Sequence, residues 1–317
     1  MPHSKYQHSS DLPFLIVNFL GAGGYGNVDL AKDVHNPSAN LVRKSYQFSS
    51  GSENLRARLQ YITNEVQMLQ RLQHRHIVKL VSTYETPNEF SFLMWPFGER
   101  NLNRFLYRES YEEKHTPAER RLLEKWIVCL ATAATYVHSQ GVCFKAISPT
   151  NIICKGEEVY FVDFACAEQF DAEQEESCQM FVSVPYFEAP EMRVLGRAGG
   201  FPADVFSLGA IFSMMSTIIS GDSFDEFEKF RLPRYGGKYW RYPRFYSSFS
   251  LIETWLMRHP LEYNKLIMKM LSESPDNRPT AAETVEALVG MDDLPHCGCT
   301  IPFRASNAEA KPGPNTG

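Results

Sequence analysis

Residues 144–165 read F-K-A-I-S-P-T-N-I-I-C-K-G-E-E-V-Y-F-V-D-F-A, and this stretch decides the fold. Its pattern predicts a loop around Asn151, a short strand over residues 159–162, and then Asp163. The amide oxygen of Asn and the carboxylate of Asp are oxygen donors of the kind that hold Mg²⁺ beside a phosphate. The stretch therefore offers two candidate ligands for such a metal ion.

A glycine-rich turn lies near the N-terminus, in the stretch G-A-G-G-Y-G-N-V over residues 21–28. Glycine lets a backbone approach a phosphate closely, and the backbone amides of such a turn can donate hydrogen bonds to it. The candidate binding residues are Gly21, Gly23, Gly26 and Val28. A hairpin turn that is merely rich in glycine fits the same residues, so the glycines alone leave both interpretations open.

A long amphipathic helix is predicted over residues 54–73, because apolar residues recur there at steps of three and four. Lys44 ends the strand-like stretch L-V-R-K before this helix, and Glu65 lies inside it. A second apolar stripe, from Leu122 to Val137, predicts a core helix that leads into the loop quoted above.

These elements resemble, in order, four motifs of the protein kinase family: the G-x-G-x-x-G-x-V loop, the V-A-I-K lysine, the H-R-D-L-K-P-x-N catalytic loop and D-F-G. Three later stretches resemble further kinase motifs, with A-P-E at residues 189–191, D-V-F-S-L-G at 204–209 and S-P-D-N-R-P-T at 274–280. The resemblance runs from about Phe14 to Gly290. Because the motifs occur together and in the family's order, they identify the fold more strongly than any one of them.

The resemblance implies the α+β class and a bilobal protein kinase fold, with a β-rich N-lobe that holds one long helix and a mainly helical C-lobe. It implies an N-lobe over residues 13–97 and a C-lobe over residues 98–291. The ends of the chain, residues 1–12 and the Pro- and Gly-rich residues 292–317, are predicted to be disordered.

The same resemblance implies ATP and Mg²⁺ as the bound groups, and roles for single residues. Lys44 would pair with the nucleotide phosphates and be held by Glu65, with Glu53 as the poorer alternative at the helix start. Met94 would face the adenine pocket. Later in the chain, Glu191 and Arg278 would form a buried ion pair.

The catalytic loop departs from the family pattern at the residue that performs the chemistry. Ala146 stands where the family has its catalytic Asp, which accepts the proton of the substrate hydroxyl. Asn151 and Asp163, the implied Mg²⁺ ligands, match the pattern. The other departures are Phe144 for His, Lys145 for Arg, Ser148 for Lys and Ala165 for the last Gly.

Three hypotheses for the function follow. The first is a pseudokinase, a signalling regulator that binds Mg-ATP and acts through contacts with other proteins. The second is an active Ser/Thr protein kinase that transfers the ATP γ-phosphate to protein hydroxyls, since the metal ligands are kept and the family's tyrosine-specific loop signature is absent. The third is a scaffold that no longer binds nucleotide.

Composition narrows the expected partners and location. A formal net charge of −5 gives no general attraction to nucleic acid or to anionic membranes. The polar N-terminus does not resemble a secretory signal, and the apolar stretches over residues 126–134 and 208–219 are too short or too broken for a membrane span. We therefore expect an intracellular, cytoplasmic protein whose partners are ATP and a protein substrate or regulated protein, with no nucleic acid and no membrane.

The 7 cysteines are scattered, apart from the C-G-C stretch at residues 297–299, which suits reduced thiols inside a cell. A metal site formed by this stretch and His296 is the less favoured alternative, because no second ligand pair follows at zinc-site spacing. His74 and His76 are interpreted as structural residues.

Two further stretches are interpreted as surface features. The acidic run over residues 168–176 is expected to be a solvated loop, in preference to a built-in substitute for an activating phosphate. The basic and aromatic residues 231–249 are expected to be a plain surface insert, in preference to a docking loop or a surface that stacks on bases.

Overall fold

The computed structural model describes residues 3–23, 26–36, 38–48, 55–107, 114–169, 185–193, 199–232, 244–259, 261–295 and 297–300. Six strands form the first sheet: β1 (His3–Lys5), β2 (Phe14–Gly23), β3 (Gly26–Asp33), β4 (Asn40–Gln47), β5 (Lys79–Thr86) and β6 (Glu89–Trp95). Their order across the sheet is β1-β5-β6-β4-β3-β2. One long helix, α1 (Leu55–Arg71), connects β4 to β5 and forms the rest of the N-lobe.

The helical half begins after β6. It contains β7 (Arg100–Asn101), α2 (Leu102–Leu106), α3 (Pro117–Ser139), β8 (Val142–Cys143), β9 (Ile152–Lys155), β10 (Glu158–Phe161), β11 (Glu168–Gln169), α4 (Gly200–Ile219), α5 (Phe224–Arg231), α6 (Phe249–Arg258), α7 (Asn264–Met270) and α8 (Ala281–Val289). Strands β10, β9 and β7 form a small sheet, and β11 pairs with β8. The predicted α+β arrangement, with a sheet-rich half and a helical half, is confirmed.

The N-terminal residues differ from the prediction of a disordered segment over residues 1–12. Strand β1 runs parallel to β5, with His3 opposite Thr83, and extends the sheet by one strand. An unpaired edge strand leaves backbone N–H and C=O groups without partners, and β1 satisfies them on β5. An ion pair adds to the strand pairing, because Lys5 Nζ lies 2.5 Å from Glu85 Oε1. The Tyr6 ring also packs edge-on against the Tyr84 ring on β5.

Helix α3 organises the C-lobe and leads to the catalytic loop. Thr116 and Glu119 form a reciprocal capping box at its start, which satisfies backbone N–H groups that have no partner within the helix. Trp126 and Leu130 on its apolar stripe are fully buried, as expected for a core helix. Strand β8 follows α3 almost directly, so the position of this helix fixes where the loop begins.

Helix α4 is the one helix in the described ranges whose length and composition would suit a membrane span. Most of its apolar window, 78%, is buried inside the protein. It packs against α3, α5 and α7. Its apolar residues therefore form the centre of the C-lobe.

The stretch over residues 231–249 has buried residues near both of its ends, Arg231 and Phe245, so its interpretation as a plain surface insert is wrong there. The Arg231 guanidinium is fully buried and lies 3.9 Å from the centre of the Phe245 ring. It donates to the Tyr186 hydroxyl and to Glu228, each at 2.8 Å. Residues 233–243, in the middle of the stretch, lie outside the described residues.

A second buried ion pair joins distant parts of the C-lobe. Arg278 donates two parallel hydrogen bonds to the Glu191 carboxylate, at 2.6 and 2.7 Å. It also donates to the backbone oxygens of Pro202, Ser272 and Glu273. Both charged side chains are buried and have lost their contact with water. Each therefore stabilises the charge of the other in place of water.

Replacing Arg278 by Ala leaves the Glu191 carboxylate buried without a cation. We expect Arg278→Ala to lower the free energy of unfolding by about 3–5 kcal/mol, measured by urea unfolding. The matched control is Arg121→Ala, because Arg121 pairs with Glu124 on the surface of α3, with 57% of the Arg121 side chain exposed. The control should change stability by about 0–1 kcal/mol. Equal losses in the two variants would contradict a structural role for the buried pair.

Candidate functional site

Three charged residues from three separate elements meet between the two lobes. Lys44 on β4 donates to both Glu65 carboxylate oxygens, at 2.9 and 2.7 Å. The same ammonium group donates to Asp163 Oδ1 at 3.0 Å. Glu65 lies in α1 and is fully buried, whereas 42% of the Asp163 side chain is exposed. The structure thus brings together three residues that the sequence predicted for one site.

Charge and burial act in opposite directions at this cluster. Burial by itself lowers the pKa of Lys44, but the Glu65 and Asp163 carboxylates outweigh it and hold that pKa well above its ordinary value. Burial raises the pKa of Glu65, and Lys44 opposes that shift. The Tyr46 hydroxyl donates to Glu65 Oε2 at 2.9 Å and adds a neutral donor to the pair. Lys44 therefore remains a cation at neutral pH, with Asp163 beside it at the open side.

The glycine turn joins β2 to β3, and its tip, residues 24 and 25, lies outside the described residues. Gly21 pairs with Val28 across the hairpin, and Gly23 pairs with Gly26. A Cβ on Gly26 would lie 2.3 Å from the Ser45 carbonyl oxygen, so this glycine is needed for packing against β4. A Cβ on Gly21 would meet nothing within 4 Å. Gly26 is therefore required for packing, whereas a side chain at position 21 would meet no steric conflict.

The catalytic loop is held by one buried carboxylate, Asp204 at the start of α4. Its two oxygens accept from the backbone N–H groups of Phe144, at 2.8 Å, and Lys145, at 2.9 Å. His138 Nε2 lies 3.0 Å from one of the same oxygens. Lys145 has a positive φ of 60°, a conformation that these hydrogen bonds help to hold. Because Asp204 is engaged by these groups, it is not placed to act as a base at Ala146.

The loop residue Ala146 carries only a methyl group where the resemblance places an acid. Its carbonyl oxygen accepts a hydrogen bond from Asn151 Nδ2 at 3.0 Å. This bond directs the nitrogen of the Asn151 amide to the backbone and leaves the amide oxygen as the atom that could bind a cation. Asp163 has a positive φ of 64°, which Asp tolerates better than most residues. Two hard oxygen donors of this kind fit Mg²⁺.

Aromatic packing and hydrogen bonds hold residues 164–167, which follow Asp163. Phe164 is fully buried, and its ring centre lies 5.1 Å from that of Phe144, the residue in place of the family's His. Asn64 on α1 donates to the backbone oxygens of Ala165 and Ala167, at 3.0 and 2.6 Å. Ala165 is not among the described residues with a positive φ, so an alanine is accepted there without backbone strain. The segment after Asp163 is thus attached to both lobes.

Lys145 forms an ion pair with Glu168 on β11. Glu168 differs from the predicted solvated loop in being paired on a strand, although 43% of its side chain is exposed, because a cation in the arginine position attracts the first carboxylate of the run. Residues 170–184 lie outside the described residues, and they include the other acidic residues of the run.

The structure places two of the remaining predicted residues, Met94 and Ser148, in buried positions. Met94 is buried on β6, directly opposite Val42 in the register of β4. Gly98 follows β6, and a Cβ there would lie 2.7 Å from Ile153 Cβ, so the chain passes close to β9 at this point. Ser148 is buried and its hydroxyl lies 2.9 Å from that of Thr150. Glu53 lies outside the described residues. The roles of these residues toward a nucleotide stay predictions.

Three supporting residues were missed by sequence reasoning: Tyr46, Asn64 and His138. A signal for Tyr46 existed, because it lies two positions after Lys44 on the same face of β4. Asn64 and His138 act across long sequence separations, and the sequence offers no local pattern for them.

The chain is similar in sequence to known protein kinases. A family model described as "Protein kinase domain" matches residues 14–288. The serine/threonine-protein kinase Nek4 of Mus musculus is 23% identical over 268 residues, which cover 84% of this chain and 31% of the relative. Nek11 of Mus musculus is 24% identical, with coverage of 91% and 43%, and mitogen-activated protein kinase HOG1 of Phaeosphaeria nodorum is 26% identical, with coverage of 62% and 51%. The chain thus spans between 31% and 51% of the length of these relatives.

The ion pair at the centre of the site predicts a specific pH dependence for Lys44→Met. Without the cation, the folded-state pKa of buried Glu65 rises further above its unfolded value. Its contribution to stability is then complete below the unfolded pKa and is lost as the pH rises through the folded pKa. We expect the penalty relative to the native chain to grow as the pH rises above the unfolded pKa of a glutamate, about 4.3, toward about 3–5 kcal/mol once the buried carboxyl group ionises.

Urea unfolding at several pH values measures this dependence. The control is the double variant Lys44→Met/Glu65→Gln, in which the buried carboxyl is replaced by a neutral amide. It should lose the extra pH dependence. A penalty for Lys44→Met that is independent of pH, or one that the double variant retains, would contradict the assignment of Glu65 as the responsible group.

Proposed function

Because this chain belongs to the protein kinase family, we propose that it binds Mg-ATP and acts as a pseudokinase, regulating other proteins through direct contacts. The observation that carries the proposal is Ala146 within a site whose other charged parts are assembled. Lys44, Glu65 and Asp163 are in contact, whereas the position of the catalytic base carries a methyl group.

The proposed nucleotide site uses residues from both lobes. Lys44 pairs with the phosphates of ATP, and its contact with Glu65 holds the ammonium group in place. The backbone of the glycine turn lies along the phosphates, and Met94 borders the adenine. Asn151 and Asp163 would hold the Mg²⁺, which neutralises phosphate charge when bound.

The missing base removes a large part of the catalytic power. A positioned base contributes about 10²- to 10⁴-fold to a rate, or roughly 3–5 kcal/mol of the barrier. Lys145 is a cation paired with Glu168 and cannot accept a proton. Ser148 takes the place of a lysine that would face the transferring phosphate. Both changes weaken phosphoryl transfer and leave the nucleotide contacts in place.

A second candidate is an active Ser/Thr protein kinase. Phosphoryl transfer depends mostly on positioning and on electrostatics, through a loose transition state, and the Lys44 ion pair supplies both. The relatives Nek4 and Nek11 are named serine/threonine-protein kinases. For either candidate we propose a cytoplasmic location, with ATP and a protein substrate or regulated protein as the partners and with neither nucleic acid nor membrane.

Nucleotide binding is tested by thermal and urea unfolding with and without Mg-ATP. At a concentration about 100 times Kd, binding stabilises the folded chain by about 2.7 kcal/mol. We expect this stabilisation for the native chain and its loss in Asp163→Asn. The control Asp292→Asn alters an exposed carboxylate after α8 and should keep it. A native chain that Mg-ATP does not stabilise would instead support a scaffold that does not bind nucleotide.

Phosphoryl transfer is tested by following the γ-phosphate of Mg-ATP onto protein acceptors. The native chain should be nearly silent, and Ala146→Asp should raise the rate by about 10²- to 10⁴-fold because it restores the base. Ala146→Asn has the same shape without a proton acceptor and should stay silent. Transfer by the native chain that Ala146→Asp does not increase and Lys44→Met abolishes would favour the active kinase.

A further inference from the structure

Four potential metal ligands from separate parts of the chain meet in the C-lobe and at its boundary with the N-lobe helix. They are His76, in the segment between α1 and β5, Cys129 on α3, and Cys297 and Cys299 near the end of the described chain. One ligand atom from each residue lies within 4.8 Å of all the others. Cys297 Sγ lies 3.1 Å from His76 Nε2 and 3.4 Å from Cys129 Sγ. The first three residues are buried, and Cys299 is partly buried.

The surrounding hydrogen bonds suit a bound metal. His76 Nδ1 lies 2.8 Å from the Val159 carbonyl oxygen, which can only accept, so Nδ1 carries the ring proton. In a neutral ring Nε2 then has its lone pair directed toward the sulfurs. A metal-binding histidine commonly gives its other ring N–H to a backbone carbonyl in this way. The backbone N–H of Cys299 also donates to Cys297 Sγ at 3.3 Å, which stabilises negative charge on that sulfur.

We propose that these four residues form a structural zinc site. Zn²⁺ in such sites takes four ligands in a tetrahedron, with Zn–S near 2.3 Å and Zn–N near 2.0–2.1 Å, so neighbouring ligand atoms lie roughly 3.5–3.8 Å apart. The separations of 3.1 and 3.4 Å are close to these values. Three thiolates with one imidazole select Zn²⁺ over the hard cations Mg²⁺ and Ca²⁺. Binding displaces the protons of the three thiols to solvent, and no oxidant or reductant takes part.

A disulfide is the main alternative for two of these cysteines. Its two sulfurs are bonded at about 2.05 Å, and each is then lost as a thiolate ligand. The 3.4 Å between the sulfurs of Cys129 and Cys297 describes two unbonded sulfurs in contact. Neither sulfur is exposed to solvent to any large extent, and the neighbouring imidazole faces them with a lone pair. The grouping therefore fits a shared cation better than a covalent bond.

The proposed site differs from two interpretations made from the sequence, in which the C-G-C stretch carried reduced thiols and His76 was a structural residue. The C-G-C stretch lacked a second ligand pair at zinc-site spacing, but the fold supplies one from His76 and Cys129, at sequence separations of 221 and 168 residues from Cys297. His74 packs against the Tyr136 ring at 5.2 Å, as expected of a structural residue. His296, the third member of the local alternative, lies outside the described residues.

A zinc ion here would join three separate elements of the fold. It would attach the segment after α1 to α3 and would fix the chain after α8 against both. With four protein ligands the site has no open position, so its role is structural and not catalytic. None of the four ligands belongs to the proposed nucleotide site, so zinc binding is independent of nucleotide binding and of phosphoryl transfer.

The first experiment measures metal in the full chain, purified without metal affinity resin, by elemental mass spectrometry. We expect about one zinc per chain. Cys297→Ser/Cys299→Ser should lose it, whereas Cys154→Ser, a buried thiol on β9, should keep it. Asp163→Asn should also keep it, which separates this site from the proposed Mg²⁺ site. Less than about 0.1 zinc per chain in the native protein would overturn the proposal.

A second measurement uses the native chain alone, in case the double variant does not fold. The chain is alkylated before and after treatment with a zinc chelator, and the modified cysteines are mapped by mass spectrometry. Cys129, Cys297 and Cys299 should become reactive together as zinc is released, and Cys154 should not follow them. Cobalt in place of zinc should give the visible spectrum of a tetrahedral thiolate site. A Cys129–Cys297 disulfide, or thiols that react independently of zinc, would overturn the proposal.

Discussion

The contact between Lys44 and Glu65 constrains the relation between the sheet and helix α1. A fully buried carboxylate costs several kcal/mol unless a cation compensates it, so α1 can pack only where Glu65 reaches the ammonium group. The same helix presents Asn64 to the segment after Asp163. One electrostatic requirement therefore sets the position of the helix, and the helix in turn sets the position of the segment that carries Asp163.

A buried carboxylate has the corresponding role in the C-lobe. Asp204 is attached to the core through α4 and holds the backbone of the catalytic loop at Phe144 and Lys145. This support is independent of the residue at position 146. The loop can therefore keep its shape although the side chain that performs proton transfer in the family is absent. Loss of the base and preservation of the fold are compatible because different residues are responsible for them.

The sequence predicted the fold and the centre of the candidate site, because the motifs around Lys44, Asn151 and Asp163 occur in a fixed order along the chain. It did not predict features that depend on pairs of residues far apart. Strand β1 is short and polar, and only its partner β5 makes it a strand. The cysteines of the zinc proposal are scattered in sequence, and the fold alone brings them together. The pairing of Glu168 was not predicted, because its neighbours in sequence are acidic and its cation lies on another loop.

The N-terminal strand has a consequence for how the molecules behave toward each other. Strand β5 would be the outer strand of the main sheet if β1 were absent, and its backbone groups would face solvent. An open edge of this kind is a template on which a second molecule can add a strand and begin aggregation. By covering residues 83–85 of that edge with three residues of its own, the chain leaves only the short strand β1 open to intermolecular pairing there. A shortened chain that begins after residue 12 would retain the cleft between the lobes and yet lose solubility.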